Sequence, residues 1–284
     1  MIKDYIQLTK PRITWLILAS TAVGYFFGSH AGWNWWVLFH TLAGTGLLAS
    51  GTAALNQWWE RAADAQMNRT KKRPLPEGRI SAAGALTFGI GLSILGFAEL
   101  WFGVNALSAW LGLLTLASYL FLYTPLKRIS PHSTTVGAFP GAMPPLIGYA
   151  AASGALTWEG LVLFAILFLW QFPHFYAIAW MYREDYSRAG IRMLPVIDSS
   201  GERTVRQILI YSLILIPVSL IPRYLNMAGN VYLLGALVLG IFYFYAGVRV
   251  ARDRTRAQAR QVLLASIVYL PLLYGLMLAD RPML

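Results

Sequence analysis

Three oxygen-bearing side chains recur at every fourth residue near the end of a long apolar run. They are Asn56, Glu60 and Asp64. Residues four apart share one face of an α-helix, so a helix through this segment brings the three together. The two carboxylates repel each other unless a cation lies among them, and oxygen ligands without any cysteine favour a hard ion, Mg²⁺ before Ca²⁺. The spacing therefore predicts a metal site.

Four cations follow this segment directly, namely Arg69, Lys71, Lys72 and Arg73. Their positive charge would oppose a bound metal unless a polyanion lay between the two groups. Proteins hold a diphosphate with this combination of a metal and guanidinium groups. The whole segment therefore indicates a metal–diphosphate site, and the alternative interpretation is a solvated helix end with mixed charges.

The composition is that of a membrane protein. Of 284 residues, 57% are hydrophobic and 12% are charged, and the charges fall in bunches between uncharged runs. Nine runs are long enough to cross a bilayer as helices: residues 13–29, 36–56, 81–102, 104–123, 134–152, 158–180, 205–222, 229–248 and 261–279. We expect one all-α membrane domain over residues 1–284, with nine transmembrane helices bundled around a cavity that opens to the inner face.

The distribution of basic residues predicts the orientation of the chain. With the N-terminus inside, all of the 23 lysine and arginine residues except Arg223 and Arg281 lie in inner segments, as the positive-inside rule requires. In a bacterium this corresponds to the inner membrane, with a cytoplasmic N-terminus and a periplasmic C-terminus. The net charge of +11 then reflects topology and contact with lipid head groups, so no nucleic-acid partner is expected.

Two further inner segments carry candidate site residues. After the fourth span, Pro125 is expected to end the helix, and Lys127 and Arg128 follow within one turn. After the sixth span, Arg183 and Asp185 lie at the membrane surface. The alternative for the basic residues is that they serve the topology alone.

Polar side chains also lie within the sixth span. Gln171 and His174 are costly in an apolar helix and usually face a cavity or a partner. If the helix continues past the span, His174 and Asp185 share one face, with the imidazole about 16 Å deeper in the membrane. The alternative for His174 is a hydrogen-bonded structural residue.

Taken together, these segments resemble the signature motifs of UbiA-type intramembrane prenyltransferases, and among them the branch that prenylates haem. The resemblance rests on residues 56–73, 123–128, 141–149 and 170–190, and it extends over almost the whole chain. It implies a nine-helix fold. It also implies transfer of a farnesyl group from farnesyl diphosphate to a vinyl group of haem B, with haem O and diphosphate as products.

The resemblance further implies roles for particular residues. The expected ligands of Mg²⁺ and catalytic residues are Asn56, Glu60, Asp64 and Asp185. The residues expected to bind the diphosphate are Arg69, Arg73, Lys127 and Arg183, with Lys72 and Arg128 as further candidates. His174 is the candidate for a haem-iron ligand or a porphyrin-facing group. Membrane lipid surrounds the protein, and a downstream haem-modifying enzyme or a terminal oxidase assembly is the candidate protein partner.

One departure from the wider family concerns the acids. Many relatives carry Asp where this chain has Glu60, and paired aspartates where it has Glu184 and Asp185. The Asp-Tyr-x-x-Ala-Gly context of Asp185 resembles the haem branch and argues against a quinone or chlorophyll precursor as the acceptor.

Three alternatives remain: a prenyltransferase of the same fold acting on a quinone precursor, an ion-coupled transporter, and a scaffold for haem-enzyme assembly. A transporter would place its ionisable groups at mid-membrane rather than at the inner face.

Overall fold

The computed structural model describes residues 2–29 and 32–282. Within those residues the chain is helical, without a β-strand, as the sequence predicted. In this part of the chain nine long helices form the bundle: α1 (Pro11–Gly28), α2 (Trp35–Asp64), α3 (Ala82–Gly103), α4 (Ala106–Leu126), α5 (Ser133–Ser153), α6 (Trp158–Met181), α7 (Glu202–Tyr224), α8 (Asn230–Arg252) and α9 (Arg256–Ala279). A short helix, Ile2–Leu8, precedes α1, and two more, Arg183–Arg188 and Leu194–Ile197, lie between α6 and α7.

Each predicted span falls on one of these long helices. Among the described residues, seven of the helices are long and apolar enough to cross a membrane, and α1 and α5 are the two that are not. Helix α5 contains Pro140, Pro144 and Pro145, and most of its residues are buried against other helices rather than exposed. A helix covered by its neighbours does not need an apolar outer surface, so its low hydropathy is compatible with a place inside the bundle. The count of nine crossings stays a prediction.

Helices α1 and α5 approach each other backbone to backbone. A Cβ atom added at Gly24 would lie 1.9 Å from the carbonyl oxygen of Pro145, and one added at Gly148 would lie 1.9 Å from that of Thr21. Only glycine permits contacts this close, and small residues at helix interfaces are the usual means of close packing in membranes. The two helices thus form a tightly packed pair, and α5 also packs against α2, α4 and α6.

Gln171 joins α6 to α5. Its Nε2 atom donates to the carbonyl oxygen of Ala138 at 3.0 Å and to that of Leu167 at 3.1 Å. A Cβ atom at Gly141 would lie 2.0 Å from the Gln171 Oε1 atom, so glycine makes room for the amide. This polar residue in an apolar span therefore faces a partner helix, which is one of the two outcomes that the sequence predicted.

The inner end of α4 differs from the prediction that Pro125 ends the helix. Residues Ser118–Tyr123 form a π-helical turn, and the amide of Thr124 donates to the carbonyl of Tyr119, five residues before it. Pro125 then lies in the first positions of the final α-helical turn, where proline is common. The helix therefore continues to Leu126.

The inner end of α6 also corrects the prediction of one continuous helix from His174 to Asp185. Helix α6 ends at Met181, and Tyr182 leaves the helical conformation with φ −117° and ψ 22°. A separate short helix, Arg183–Arg188, follows this break. Because of this break, the shared face that the spacing predicted for His174 and Asp185 does not form.

We expect the substitution Gly148→Ala to destabilise the bundle, because its Cβ atom would overlap the backbone of α1. Overpacking of this kind costs about 1–3 kcal/mol. Thermal unfolding in detergent measures the effect. The control is Gly91→Ala in α3, where a Cβ atom meets nothing within 4 Å and the higher helix propensity of alanine should leave the melting temperature unchanged or raise it. Equal melting temperatures for the two variants would contradict the tight α1–α5 contact.

Candidate active site

The inner end of α2 carries the three oxygen-bearing side chains. Helix α2 continues to Asp64, so Asn56, Glu60 and Asp64, the triad of this site, all belong to it, as the spacing predicted. The Nδ2 atom of Asn56 donates to Glu60 Oε2 at 3.0 Å. Asn56 and Asp64 are each only 1% exposed. Ionised or polar groups buried to this degree require partners, and other segments provide them.

Lys127, just after α4, is the partner of Glu60. Its Nζ atom lies 2.9 Å from Glu60 Oε1 and 3.1 Å from Oε2, and it also lies 4.4 Å from the centre of the Tyr123 ring. Thr124 accepts a hydrogen bond from Asn56 Nδ2 at 3.2 Å. The residues that follow the π-helical turn therefore bring the hydroxyl group of Thr124 and the ammonium group of Lys127 to α2.

The segment after α2 folds back onto Asp64. Arg73 Nη1 lies 2.7 Å from Asp64 Oδ2, and the hydroxyl of Thr70 donates to the backbone carbonyl of Asp64 at 2.9 Å. The segment that carries the cations thus turns back toward the acids. The guanidinium group of Arg73 neutralises Asp64, which is the more buried of the two carboxylates.

Asp185 approaches the same segment from the other side. Its Oδ2 atom accepts from the backbone amide of Arg69 at 3.2 Å, and its Oδ1 atom pairs with Arg188. The guanidinium group of Arg69 bonds the hydroxyl of Tyr186 at 3.0 Å and lies 5.0 Å from the centre of the Tyr182 ring. The break at the end of α6 thus brings Asp185 to the segment that follows α2.

Lys10 is a site residue that the sequence interpretation missed, because it was assigned to the positive-inside pattern. Its Nζ atom donates to Asn56 Oδ1 at 3.1 Å. Burial, together with the nearby charges of Arg73 and Lys127, lowers the pKa of Lys10, and the carboxylates of Glu60 and Asp64 act in the opposite direction. In the sequence, the one sign that Lys10 belongs to the site was its position directly before Pro11, where α1 begins. This lysine is half-buried and brings a further cation to α2.

Three other predicted diphosphate ligands lie at exposed positions. Lys72 is exposed, and its carbonyl oxygen accepts from Arg79. Arg183 is exposed, with its guanidinium group 5.0 Å from the centre of the Trp180 ring. Arg128 is exposed but lines a cavity of about 290 Å³ together with Glu60 and Thr124. Their roles in binding stay predictions, and Arg128 shares this cavity with Glu60.

His174 belongs to a different cluster, between α6 and α9. Its Nδ1 atom lies 2.7 Å from Ser266 Oγ, and its ring stacks on Trp170 with 4.8 Å between ring centres. The indole of Trp170 donates to the backbone carbonyl of Ser266 at 2.9 Å. The imidazole is therefore held in one orientation by α9, apart from the acids of α2.

The site offers few protein oxygen ligands for a metal ion. Among residues 2–29 and 32–282, no group of three or more histidine, cysteine, aspartate or glutamate side chains is arranged to hold a metal ion. Asn56, Glu60 and Asp64 present only oxygen donors, which Mg²⁺ prefers. This ion is commonly bound through one or two carboxylates, with water and substrate phosphates completing its coordination. The site therefore fits a metal that is shared with a phosphate group better than a fully protein-bound ion.

Residues 17–270 match the model of the UbiA prenyltransferase family. This match covers most of the chain and includes all of α2, the segment after it and the end of α4, which carry most of the site. The chain therefore belongs to the UbiA prenyltransferase family.

Two relatives that align with almost the whole chain have the same name. The chain is 64% identical over 289 residues to the protoheme IX farnesyltransferase of Solibacter usitatus (strain Ellin6076), and the alignment covers 99% of each sequence. It is 47% identical to the protoheme IX farnesyltransferase of Koribacter versatilis (strain Ellin345), covering 99% of this chain and 94% of the relative.

Solved structures share the fold at low sequence identity. Digeranylgeranylglyceryl phosphate synthase superposes with a TM-score of 0.83 at 16% identity, covering 99% of this chain and 98% of the other. A UbiA homologue from Archaeoglobus fulgidus, bound to DMAPP and Mg²⁺, superposes with a TM-score of 0.70 at 19% identity, covering 99% and 100% of the two chains. The helical arrangement is therefore that of the family.

We expect Glu60 and Lys127 to be energetically coupled. Their side chains are 15% and 12% exposed, and removing one member of a buried ion pair costs about 3–5 kcal/mol because the other charge is left uncompensated. Glu60→Gln and Lys127→Met should each lower the melting temperature, and the double substitution should lower it by less than the sum. Lys71→Met, at an exposed lysine, is the control. Additive effects would show that the pair does not act as one unit.

Proposed function

We propose that this chain is a protoheme IX farnesyltransferase, which transfers the farnesyl group of farnesyl diphosphate to a vinyl group of haem B. The bond between C1 of the farnesyl group and the diphosphate oxygen breaks, and C1 bonds to the terminal vinyl carbon. Water adds the hydroxyl group of the product and releases a proton, so that haem O and diphosphate result. The relatives of that name, 64% and 47% identical over 99% of this chain, support the proposal.

The observation that carries the proposal is the interleaving of acids and cations at the inner end of α2. Glu60 pairs with Lys127, and Asp64 pairs with Arg73. Ionisation of an allylic diphosphate requires that the charge developing on the leaving group is stabilised. A cluster in which acids and cations alternate can hold a metal and a diphosphate at the same time. Neither a transporter pathway nor a scaffold requires such a cluster.

We assign the metal to the acids of this cluster. Asn56, Glu60 and Asp64 would hold Mg²⁺, with Asp185 as a further ligand beside the segment after α2. When bound, Mg²⁺ supplies a Lewis acid that stabilises the negative charge of the diphosphate. The protein's part is to keep the acids ionised and to present their oxygen atoms from one face of α2.

We assign the diphosphate to the cations that surround these acids. Arg73 and Lys127 already contact members of the triad, and Arg69 is held beside Asp185 by its backbone amide. These groups can orient the diphosphate and hold it as it leaves. Arg69 is itself exposed, as are Lys72, Arg128 and Arg183. For the last three we propose a role at the mouth of the site.

We propose that His174 faces the porphyrin and ligates its iron. The hydroxyl of Ser266 donates to the carbonyl of Leu263 at 2.6 Å, and a hydroxyl has only one hydrogen to donate. His174 Nδ1 is therefore the donor in its bond to Ser266, which leaves the lone pair on Nε2. An imidazole fixed by its other nitrogen is the usual arrangement of a histidine that ligates a metal.

The position of the site suggests where the reaction takes place. We propose nine crossings of the bacterial inner membrane, with the N-terminus and the acid–cation cluster on the cytoplasmic side and the C-terminus in the periplasm. The distribution of basic residues supports this orientation. Both the farnesyl chain and the porphyrin are soluble in lipid, so the product can pass within the membrane to a downstream haem-modifying enzyme or an oxidase assembly.

Membranes that contain this protein should convert haem B, farnesyl diphosphate and Mg²⁺ into haem O, detected by the mass of the extracted haems. EDTA should abolish the conversion, and added Mg²⁺ should restore it. Asp64→Asn should lose about two or more orders of magnitude in rate, because a charged ligand of the metal is lost.

The control for this assay is Glu202→Gln, which removes a carboxylate that is 71% exposed and should leave the rate unchanged. Full activity after exhaustive chelation would remove the metal from the proposal. Prenylation of an aromatic quinone precursor in place of haem would identify a different acceptor.

The haem absorption spectrum of the purified protein tests His174. His174→Ala should change that spectrum, because the proposed iron ligand is lost, and should leave the affinity for pyrophosphate unchanged. His132→Ala, at an exposed histidine of the segment between α4 and α5, should change neither property. A lower melting temperature with an unchanged spectrum would show that His174 has a structural role alone.

A further inference from the structure

Each side chain of the triad already accepts a hydrogen bond from a cation. The pairs are Glu60 with Lys127 at 2.9 Å, Asp64 with Arg73 at 2.7 Å, and Asn56 with Lys10 at 3.1 Å. In the first two pairs a carboxylate neutralises the cation. In the third, the ammonium group of Lys10 bonds a neutral amide oxygen, which provides a dipole but no compensating charge.

The backbone holds Lys10 in this position. Lys10 caps the start of α1 with φ 49° and ψ 59°, a left-handed conformation that a lysine seldom adopts. The residues before it are tied to α2, since Gln57 Nε2 donates to the carbonyl oxygen of Leu8 at 2.9 Å and Leu8 is fully buried. A strained conformation persists only where its surroundings enforce it, and such positions concentrate at functional sites.

We propose that Lys10 competes with the metal ion for the Oδ1 atom of Asn56 and so keeps the affinity for metal low until a diphosphate binds. The inference rests on the proposed role of Asn56 as a metal ligand. It does not depend on which acceptor receives the prenyl group.

The competition follows from distance and charge. A metal ion that took Asn56 Oδ1 as a ligand would repel the ammonium group that now bonds the same atom. A diphosphate offers Lys10 anionic oxygen atoms, so the ammonium group can leave the amide and the metal can take its place. Binding of the diphosphate should therefore strengthen binding of the metal, and by linkage the reverse must hold to the same extent.

The experiment measures binding of Mn²⁺, followed by EPR, to the full-length protein in detergent, with neither a prenyl group nor haem present. Titrations are made with and without inorganic pyrophosphate, and metal bound by pyrophosphate alone is subtracted. For the wild-type protein we expect pyrophosphate to tighten the binding of Mn²⁺ by about tenfold or more, which is a typical coupling between sites.

Lys10→Gly removes the competitor while permitting the left-handed backbone. It should tighten Mn²⁺ binding in the absence of pyrophosphate by about tenfold, the effect of one charge-assisted hydrogen bond, and the further gain from pyrophosphate should shrink. Lys10→Arg should behave as the wild type. Lys3→Gly, at an exposed lysine of the same N-terminal segment, is the matched control and should change nothing. If Lys10→Gly lowers the melting temperature, Lys10→Asn replaces it, because asparagine also tolerates this conformation.

A double-mutant cycle separates competition at Asn56 from general repulsion. In an Asn56→Ala background the amide oxygen is gone, so Lys10→Gly should no longer tighten Mn²⁺ binding. An equal gain in both backgrounds, or no gain in the wild-type background, would overturn the proposal. The titrations contain no acceptor, so the absence of haem O in the product assay would reject the proposed reaction while leaving this result intact.

Discussion

Two carboxylates on successive turns of α2 can remain ionised in a largely buried position only while cations neutralise them. The inner end of the bundle is organised around this requirement. Arg73 comes from the segment after α2 and Lys127 from the end of α4, and Lys10 adds a cation from the residues before α1. No pair of adjacent helices could assemble the cluster, so the electrostatic balance of the site depends on the relative positions of at least three parts of the chain.

Those positions are held by contacts of a different kind. Glycines at α1 and α5 allow backbone to touch backbone, and Gln171 adds a hydrogen bond from α6 to the same helix α5. Within a bilayer there is no hydrophobic force between helices, so close van der Waals packing and interhelical hydrogen bonds determine how they associate. Small residues and one side-chain amide therefore fix the relative positions of the apolar helices. The inner ends of these helices carry the charged residues.

The sequence predicted the long helices and the face of α2, because apolar run length and a spacing of four residues are local properties. It missed Lys10, since a lysine at the inner end of a first span is what the positive-inside rule leads one to expect. The break at Tyr182 was not predicted either. Asp185, after the break, bonds the backbone of Arg69, and a contact between residues 116 apart in sequence leaves no local signal. The same reason explains why the bond between His174 and Ser266 could not be foreseen.

The π-helical turn Ser118–Tyr123 amounts to one residue inserted into the hydrogen-bond ladder of α4. Removing a single residue from this turn would leave the length and hydropathy of the helix almost unchanged. It would also let the ladder close as a regular α-helix, so that the residues after the turn, including Lys127, keep their orientation. A three-base deletion in the regular part of α4, Ala106–Ala117, would instead rotate everything after it by about 100°. The protein would keep an apolar helix of nearly the same length but lose the register between Glu60 and Lys127.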